Sequence, residues 1–388
     1  MLRSVGLLLI FSLLLAGCWD RREINDVGFV LATALDTGPG EGTYQATSRI
    51  AIPNKLGGGQ AGANRGGSTG PPYMKVTAKG KNLEEIRMDM VRQLSREFST
   101  AHRRIIAVGE PLARRGIKGI LDEYSRNPQN RLRTFVIVTK GMKSDKFLDT
   151  PYELEAYPAE ALREMIKLQR NIPTTLRDYF IASTMPGMEP VLAAFSLPYK
   201  EQPRFALESI AIFRDFRLVG YVDKREAMFL NTLLGREPGG LVKVTIPEAK
   251  GDIWVAMQAL KPRGEVNMQG GKPRFRFKVT ATGRVQENET ALDLRNPAIV
   301  EKLNKALTVQ IKKDYESLLK KLQTEFKADS IGLGTMVYRK YPRYWKQIEQ
   351  DWPTMFPQQK VEWQVQAEIL EVGVTGPPLQ LPENEVKR

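Results

Sequence analysis

An apolar run that stops at a lone cysteine constrains this chain more than any other feature. Arg3 gives a positive start, and Val5 to Ala16 are twelve residues broken only by Gly6 and Ser12. As a helix such a run falls short of a ~30 Å hydrocarbon core, which takes about 20 residues to cross. It has the length of the central segment of an export signal. Leu15, Ala16 and Gly17 then form a small-residue site for a signal peptidase, immediately before Cys18. Cys18 is the only cysteine, so no disulfide can form within one chain.

Leu15-Ala16-Gly17-Cys18 is similar to a bacterial lipobox. That reading makes Cys18 the lipidation site, carrying a covalent diacylglyceryl group on sulfur and an N-acyl lipid on the freed amine. The physics favours more than one chain, because a single acyl chain holds a protein only marginally and two give stable anchoring at ~0.8 kcal/mol per buried CH₂. The alternatives are a plain secretory signal with an accidental cysteine and an uncleaved anchor, which needs a longer apolar stretch. The expected product is a membrane-anchored lipoprotein on the outer face of a membrane, with residues 1–17 removed and 18–26 as a spacer.

Removing 17 of 388 residues leaves 371, enough for two or three domains with their own cores. No later stretch reaches 18 consecutive apolar residues, so the body is expected to stay out of the bilayer. The formal net charge of +14 suits either anionic headgroups and acidic partner loops or a lysine-rich solvated surface. For an exported chain, no nucleic-acid partner is expected.

The hydrophobic patterning predicts mixed α/β architecture. Val27–Asp36 and Tyr44–Ile52 read as a hairpin around Gly38-Pro39-Gly40. Residues 56–72 formally contain G-x-G-x-x-G at Gly57, Gly59 and Gly62. More glycine and two prolines follow in place of a helix that receives a phosphate, so this is a flexible surface loop. Asn82 caps a helix with Glu85 at N3, and Leu83, Ile86, Met90, Val91, Leu94 and Phe98 share its apolar face. Arg103–Gly109, Leu132–Thr139 and Val191–Leu197 read as strands, with helices from Pro111 to Tyr124, over 158–170 and over Thr175–Thr184. Such short connections argue for a covered, mostly parallel sheet over residues 27–200.

A second α/β unit is expected over 201–376, divisible into two modules, before a polar tail at 377–388. It opens with a strand pair at Leu207–Phe213 and Leu218–Val222. Lys224–Leu234 follows as a helix, then strands at Leu241–Ile246, Ile253–Leu260 and Phe275–Val285. Pro297–Phe326 is the longest helix, roughly 45 Å at 1.5 Å per residue. Short helices at Leu333–Lys340 and Tyr344–Asp351 precede an alternating strand at Val361–Val372.

Chemistry is sparsely provided. The one histidine, His102, reads as a surface or capping residue, and no G-x-S-x-G elbow supplies a serine nucleophile. Zinc and haem sites draw on several His or Cys residues. The expectation is no catalytic residue, no metal site and no cofactor beyond the lipid on Cys18. Residues 75–146 hold 17 basic and 8 acidic side chains. The dense points of that surplus, Arg103-Arg104 and Arg114-Arg115, are candidates for partner or lipid contact, against the alternative of a solvated face.

One stretch carries more information. Gly17-Cys18-Trp19-Asp20-Arg21-Arg22-Glu23-Ile24-Asn25-Asp26-Val27-Gly28-Phe29-Val30 resembles the opening of the spore germinant-receptor C-subunit lipoproteins. The likeness continues in Arg104 to Glu110, Gly116 to Pro128, Leu218 to Asp223, and Asp329 to Gly334 with Tyr341-Pro342 and Trp345. It covers nearly the whole mature chain. The resemblance implies a non-catalytic multidomain α/β protein, lipid-anchored at the inner spore membrane or cell membrane. It also implies assembly with two membrane-embedded germinant-receptor subunits to support nutrient-triggered germination. A solute-binding lipoprotein of a nutrient importer is the alternative.

Overall fold

The computed structural model describes residues 23–52, 70–169, 172, 174–199 and 201–373. The signal segment, Cys18, most of the spacer, residues 56–69 of the glycine-rich segment and the tail from 374 onward lie outside the described residues.

Nine strands make the first sheet: β1 (Val27–Thr37), β2 (Tyr44–Ala51), β3 (Tyr73–Gly80), β4 (Glu97–Ser99), β5 (Ile105–Gly109), β6 (Phe135–Thr139), β7 (Val191–Ser196), β8 (Ala206–Arg214) and β9 (Arg217–Asp223). Their order is β3-β2-β1-β5-β6-β7-β8-β9, with the short β4 also on β1. β1, β5, β6 and β7 run parallel, while the hairpins at both sides are antiparallel. The parallel centre is buried on both faces, which is why Ile105–Gly109 reads as one apolar run instead of an alternation. Ile86, Leu112, Ile120, Tyr124 and Tyr179 cover one face. Phe147, Leu162 and Ile166 cover the other.

The expected hairpin is present, paired from Val30–Ile50 to Thr37–Tyr44. The helix begun at Asn82 is shorter than its apolar periodicity, spanning Leu83–Val91. Asn82 accepts from the Glu85 N–H at 2.8 Å, whereas the Glu85 carboxylate turns to the Lys81 N–H at 2.8 Å. Leu94 and Phe98 leave the helix because Val27–Phe29 takes Glu97–Ser99 as a parallel partner. The helix expected from Pro111 onward is two, Glu110–Arg115 and Lys118–Arg126. Between them Gly116 stands at φ 121°, where a β-carbon is disfavoured.

The strand pair expected to open a second unit is hydrogen-bonded into the first sheet instead, through the antiparallel β7–β8 pairing. The first sheet therefore runs across residue 201 to Asp223. The second sheet holds β10 (Leu241–Val244), β11 (Ile253–Gln269), β12 (Lys272–Asn288) and β13 (Val361–Glu371), in that order. β11 is twice as long as expected and β12 about half as long again, because Gly270 and Gly271 turn the chain, with φ of 57° and 72°. Positive φ at both central residues matches the right-handed twist of a hairpin.

The helix Pro297–Lys321 lies across this sheet and continues as a π-helical turn to Phe326. Its buried stripe is Ile299, Leu303, Leu307, Ile311, Tyr315 and Leu318. Trp363 of β13 stacks between Phe277, 4.9 Å away, and Tyr315, 4.8 Å away. The opposite face of β12 is exposed at every second position, as one-sided packing requires.

Candidate functional site

The lipidation site Cys18 and the recognition residues Leu15, Ala16 and Gly17 lie outside the described residues. The four arginines put forward for partner or lipid contact do not form one surface. Arg103 is buried, so it is corrected from a contact residue to a core one. Its guanidinium lies 4.6 Å from the Tyr124 ring centroid and donates to the Asn130 side chain. Arg104 donates to Glu160 at 3.1 Å. Arg114 pairs with Glu110 at 2.6 Å, one turn back, and Arg115 lies over the Tyr44 ring at 4.7 Å. Each is engaged within the fold. His102 is exposed, with its ring edge-on to Phe29 at 5.0 Å.

Among the described residues no group of three or more His, Cys, Asp or Glu side chains is arranged to hold a metal ion. The most deeply buried carboxylates are occupied by donors. Asp36 accepts from the N–H groups of Ser144, at 2.8 Å, and Asp145, at 3.0 Å. Asp329 accepts from the N–H groups of Leu333 and Gly334, at 3.0 and 2.8 Å, and from the Trp352 indole at 3.0 Å. Burial pushes the Asp329 carboxyl up to about 6, and those three donors hold it back. Groups capped in this way position backbone.

Asp329 belongs to a joint that sequence reasoning did not place. The stretch after helix Leu176–Thr184 folds against the start of helix Leu333–Lys340. There the Glu189 N–H donates to the Asp329 carbonyl at 2.9 Å. Thr335 donates its hydroxyl to the Pro186 carbonyl at 2.8 Å and its N–H to the Gly187 carbonyl at 3.3 Å. A β-carbon on Gly187 would lie 2.6 Å from Gly334 Cα and from the Trp345 ring, and one on Gly220 of β9 would collide with Phe326. These contacts tie the first sheet to the helices of the second unit. The only signal in sequence was the pattern Asp329-Ser330-Ile331-Gly332-Leu333-Gly334, in which Gly334 lies at a crowded point and Gly332 takes a positive φ of 74°.

A different feature has room for a small molecule. An open groove of about 750 Å³ runs between helices Leu83–Val91 and Lys118–Arg126, lined by Lys81, Glu84, Arg87, Asp122, Glu123 and Arg126 among others. Beneath it lies a cavity of about 40 Å³ that shares Leu83, Arg87, Glu123 and Asn127 with the groove.

Family models divide the chain between β7 and β8, within the first sheet. Residues 20–197 match the model of the spore germination protein N-terminal domain, and residues 208–373 match the spore germination B3/GerAC-like C-terminal model. A Bacillus subtilis chain named for spore germination, YfkR, is 29% identical over 361 residues, spanning 91% of this chain and 92% of the relative. Spore germination protein KC of Bacillus subtilis is 22% identical, spanning 96% of each. The crystal structure of the GerBC protein superposes with a TM-score of 0.58 at 17% identity, covering 90% of this chain and 100% of that one.

Proposed function

Since this chain belongs to the GerAC-like family of spore germination proteins, we propose that it is the lipid-anchored, non-catalytic C subunit of a spore germinant receptor. A role in spore germination follows from the family itself. The finer reading adds three elements: an acylated Cys18 at the outer face of the inner spore membrane or cell membrane, assembly with two membrane-embedded subunits, and nutrient-triggered response. The observation that carries it is the end-to-end match, because relatives named for spore germination align over almost their whole length. The sequence before the first described residue supports the tether, with its short apolar run and lone cysteine. The capped state of Asp36 and Asp329 supports a non-catalytic role.

Two measurements test this reading. Metabolic labelling with a radioactive fatty acid should mark the wild-type chain and not Cys18→Ala, which should also leave the membrane fraction; equal labelling of both would refute the anchor. Affinity purification from detergent-solubilised spore membranes should recover two integral membrane proteins in constant ratio with this chain. Recovery of the chain alone would overturn the receptor assignment.

A further inference from the structure

Two arginines are deeply buried in the first sheet, and they are treated differently. Arg49, 2% exposed, meets two carboxylates, Asp145 at 3.1 Å and Asp149 at 2.8 Å, although its Nε and Nη1 also lack acceptors. Arg103, 6% exposed, makes no ion pair with any described carboxylate. Its protein partners are the Asn130 side chain, the Thr33 hydroxyl at 3.5 Å and the Tyr124 ring, and its Nε–H has no acceptor. Its nearest electrostatic partner is the half-buried Glu123 carboxylate, which acts on it through space and not by direct contact. A buried cation compensated only in this way is poorly paired, and an unused guanidinium N–H adds to the cost.

The surroundings show where an anion can come from. Arg103 lines the cavity of about 40 Å³ together with Thr33, Ser48, Thr100 and Asn130, polar side chains that also hold one another, the Met90 sulfur and the Gln129 and Tyr124 carbonyls. A water needs roughly 10–15 Å³ on this measure, so the space suits a planar group of three heavy atoms. The groove above it, about 750 Å³, provides an open route and room for the rest of a molecule. Glu123, at the boundary between the two, is held above the usual carboxylate range by burial.

We propose that Arg103 and the hydroxyls around it form a binding site for the carboxylate of a small organic acid, which enters through the groove between helices Leu83–Val91 and Lys118–Arg126. The guanidinium fork matches a planar carboxylate through two parallel N–H donors, and the vacant Nε–H supplies one of them. The site stands on this geometry alone and is independent of the receptor reading above.

The test uses the full-length protein in detergent with ¹⁵N-labelled arginine, titrated with sodium acetate and with sodium glutarate at constant ionic strength. The Nε–H resonance absent from Arg103→Lys identifies the residue. It is expected to shift saturably, with both acids, and not with sodium chloride. Arg103→Lys keeps the charge without the fork and should weaken binding, followed by calorimetry, at least about tenfold. Thr100→Leu fills the cavity while leaving the guanidinium in place, and should abolish the shift even if the Arg103 variant folds poorly. No saturation below about 100 mM of either acid, an affinity too weak for a built site, overturns the proposal. So does an equal shift with chloride, or wild-type binding in Thr100→Leu.

Discussion

Gly187 and Gly334 meet backbone to backbone, so closely that a β-carbon on the first would lie 2.6 Å from the Cα of the second. Gly187 also stands at φ 68°, a conformation that L-residues adopt at a cost. Gly187→Ala is therefore expected to destabilise the protein by about 1–3 kcal/mol, the range for overpacking a filled interior. Urea unfolding measures it. A change below about 0.5 kcal/mol, the size of an ordinary surface substitution, would show that the joint yields freely.

Glu189 sits in the same joint and gives it a pH dependence. Burial pushes its carboxyl up to about 7, aided by the nearby charges of Asp215 and Asp329, from an ordinary value of 4.5. A raised acid favours folding while neutral, so its contribution is complete below pH 4.5 and is lost as pH rises through 7. Glu189→Gln stays neutral throughout. Its melting temperature should therefore fall less than that of the wild type between pH 4.5 and 7.5. Parallel profiles would remove Glu189 from the account.

Tyr315 tests the second core. Its hydroxyl shares a 2.7 Å hydrogen bond with Thr232, whose own hydroxyl also donates to the Phe229 carbonyl at 2.9 Å. Tyr315→Phe leaves Thr232 partnered and should cost only about 1 kcal/mol. Tyr315→Ala removes the ring stacked on Trp363 and should cost about 3–5 kcal/mol. Chemical denaturation followed by tryptophan fluorescence separates the two.

The Gly270-Gly271 turn sets the register of the long hairpin. Replacing Gly271 with Val puts a branched side chain at φ 72° and should destabilise by about 1–3 kcal/mol. Asn at the same position tolerates the left-handed region and should lie between Val and wild type. Thermal unfolding of the three proteins gives the order.

Local signals were legible where one residue type has one physical use. Asn82 as a cap and the alternation of Val361–Val372 both appear as the sequence reads. Legibility failed where two distant segments compete for one chain. Phe98 fits a helical face by spacing, yet the backbone of Val27–Phe29 claims it as a strand. The hydrogen bonding of Ala206–Arg214 to β7 likewise has no local signal. The arginine pairs were dense in sequence but scattered in space, because Arg103 turns into the core while Arg104 turns to Glu160. Two of the donors to Asp329, the Leu333 and Gly334 N–H groups, lie within the local pattern that was legible, whereas the third, Trp352, is brought in by packing.

The pairing of β12 with β13 carries a kinetic consequence. The two run parallel, and everything from residue 289 to 360, including the long helix, lies between them. That loop must close before the pairing is rewarded, which makes such contacts slow to form. Trp363 enters its aromatic stack only with that last strand. A ribosome-bound chain still lacking residues 361–371 thus holds an open edge at β12 and an unfilled core. The second unit can be finished only after synthesis of its final strand, while the first sheet, complete by Asp223, can form ahead of it.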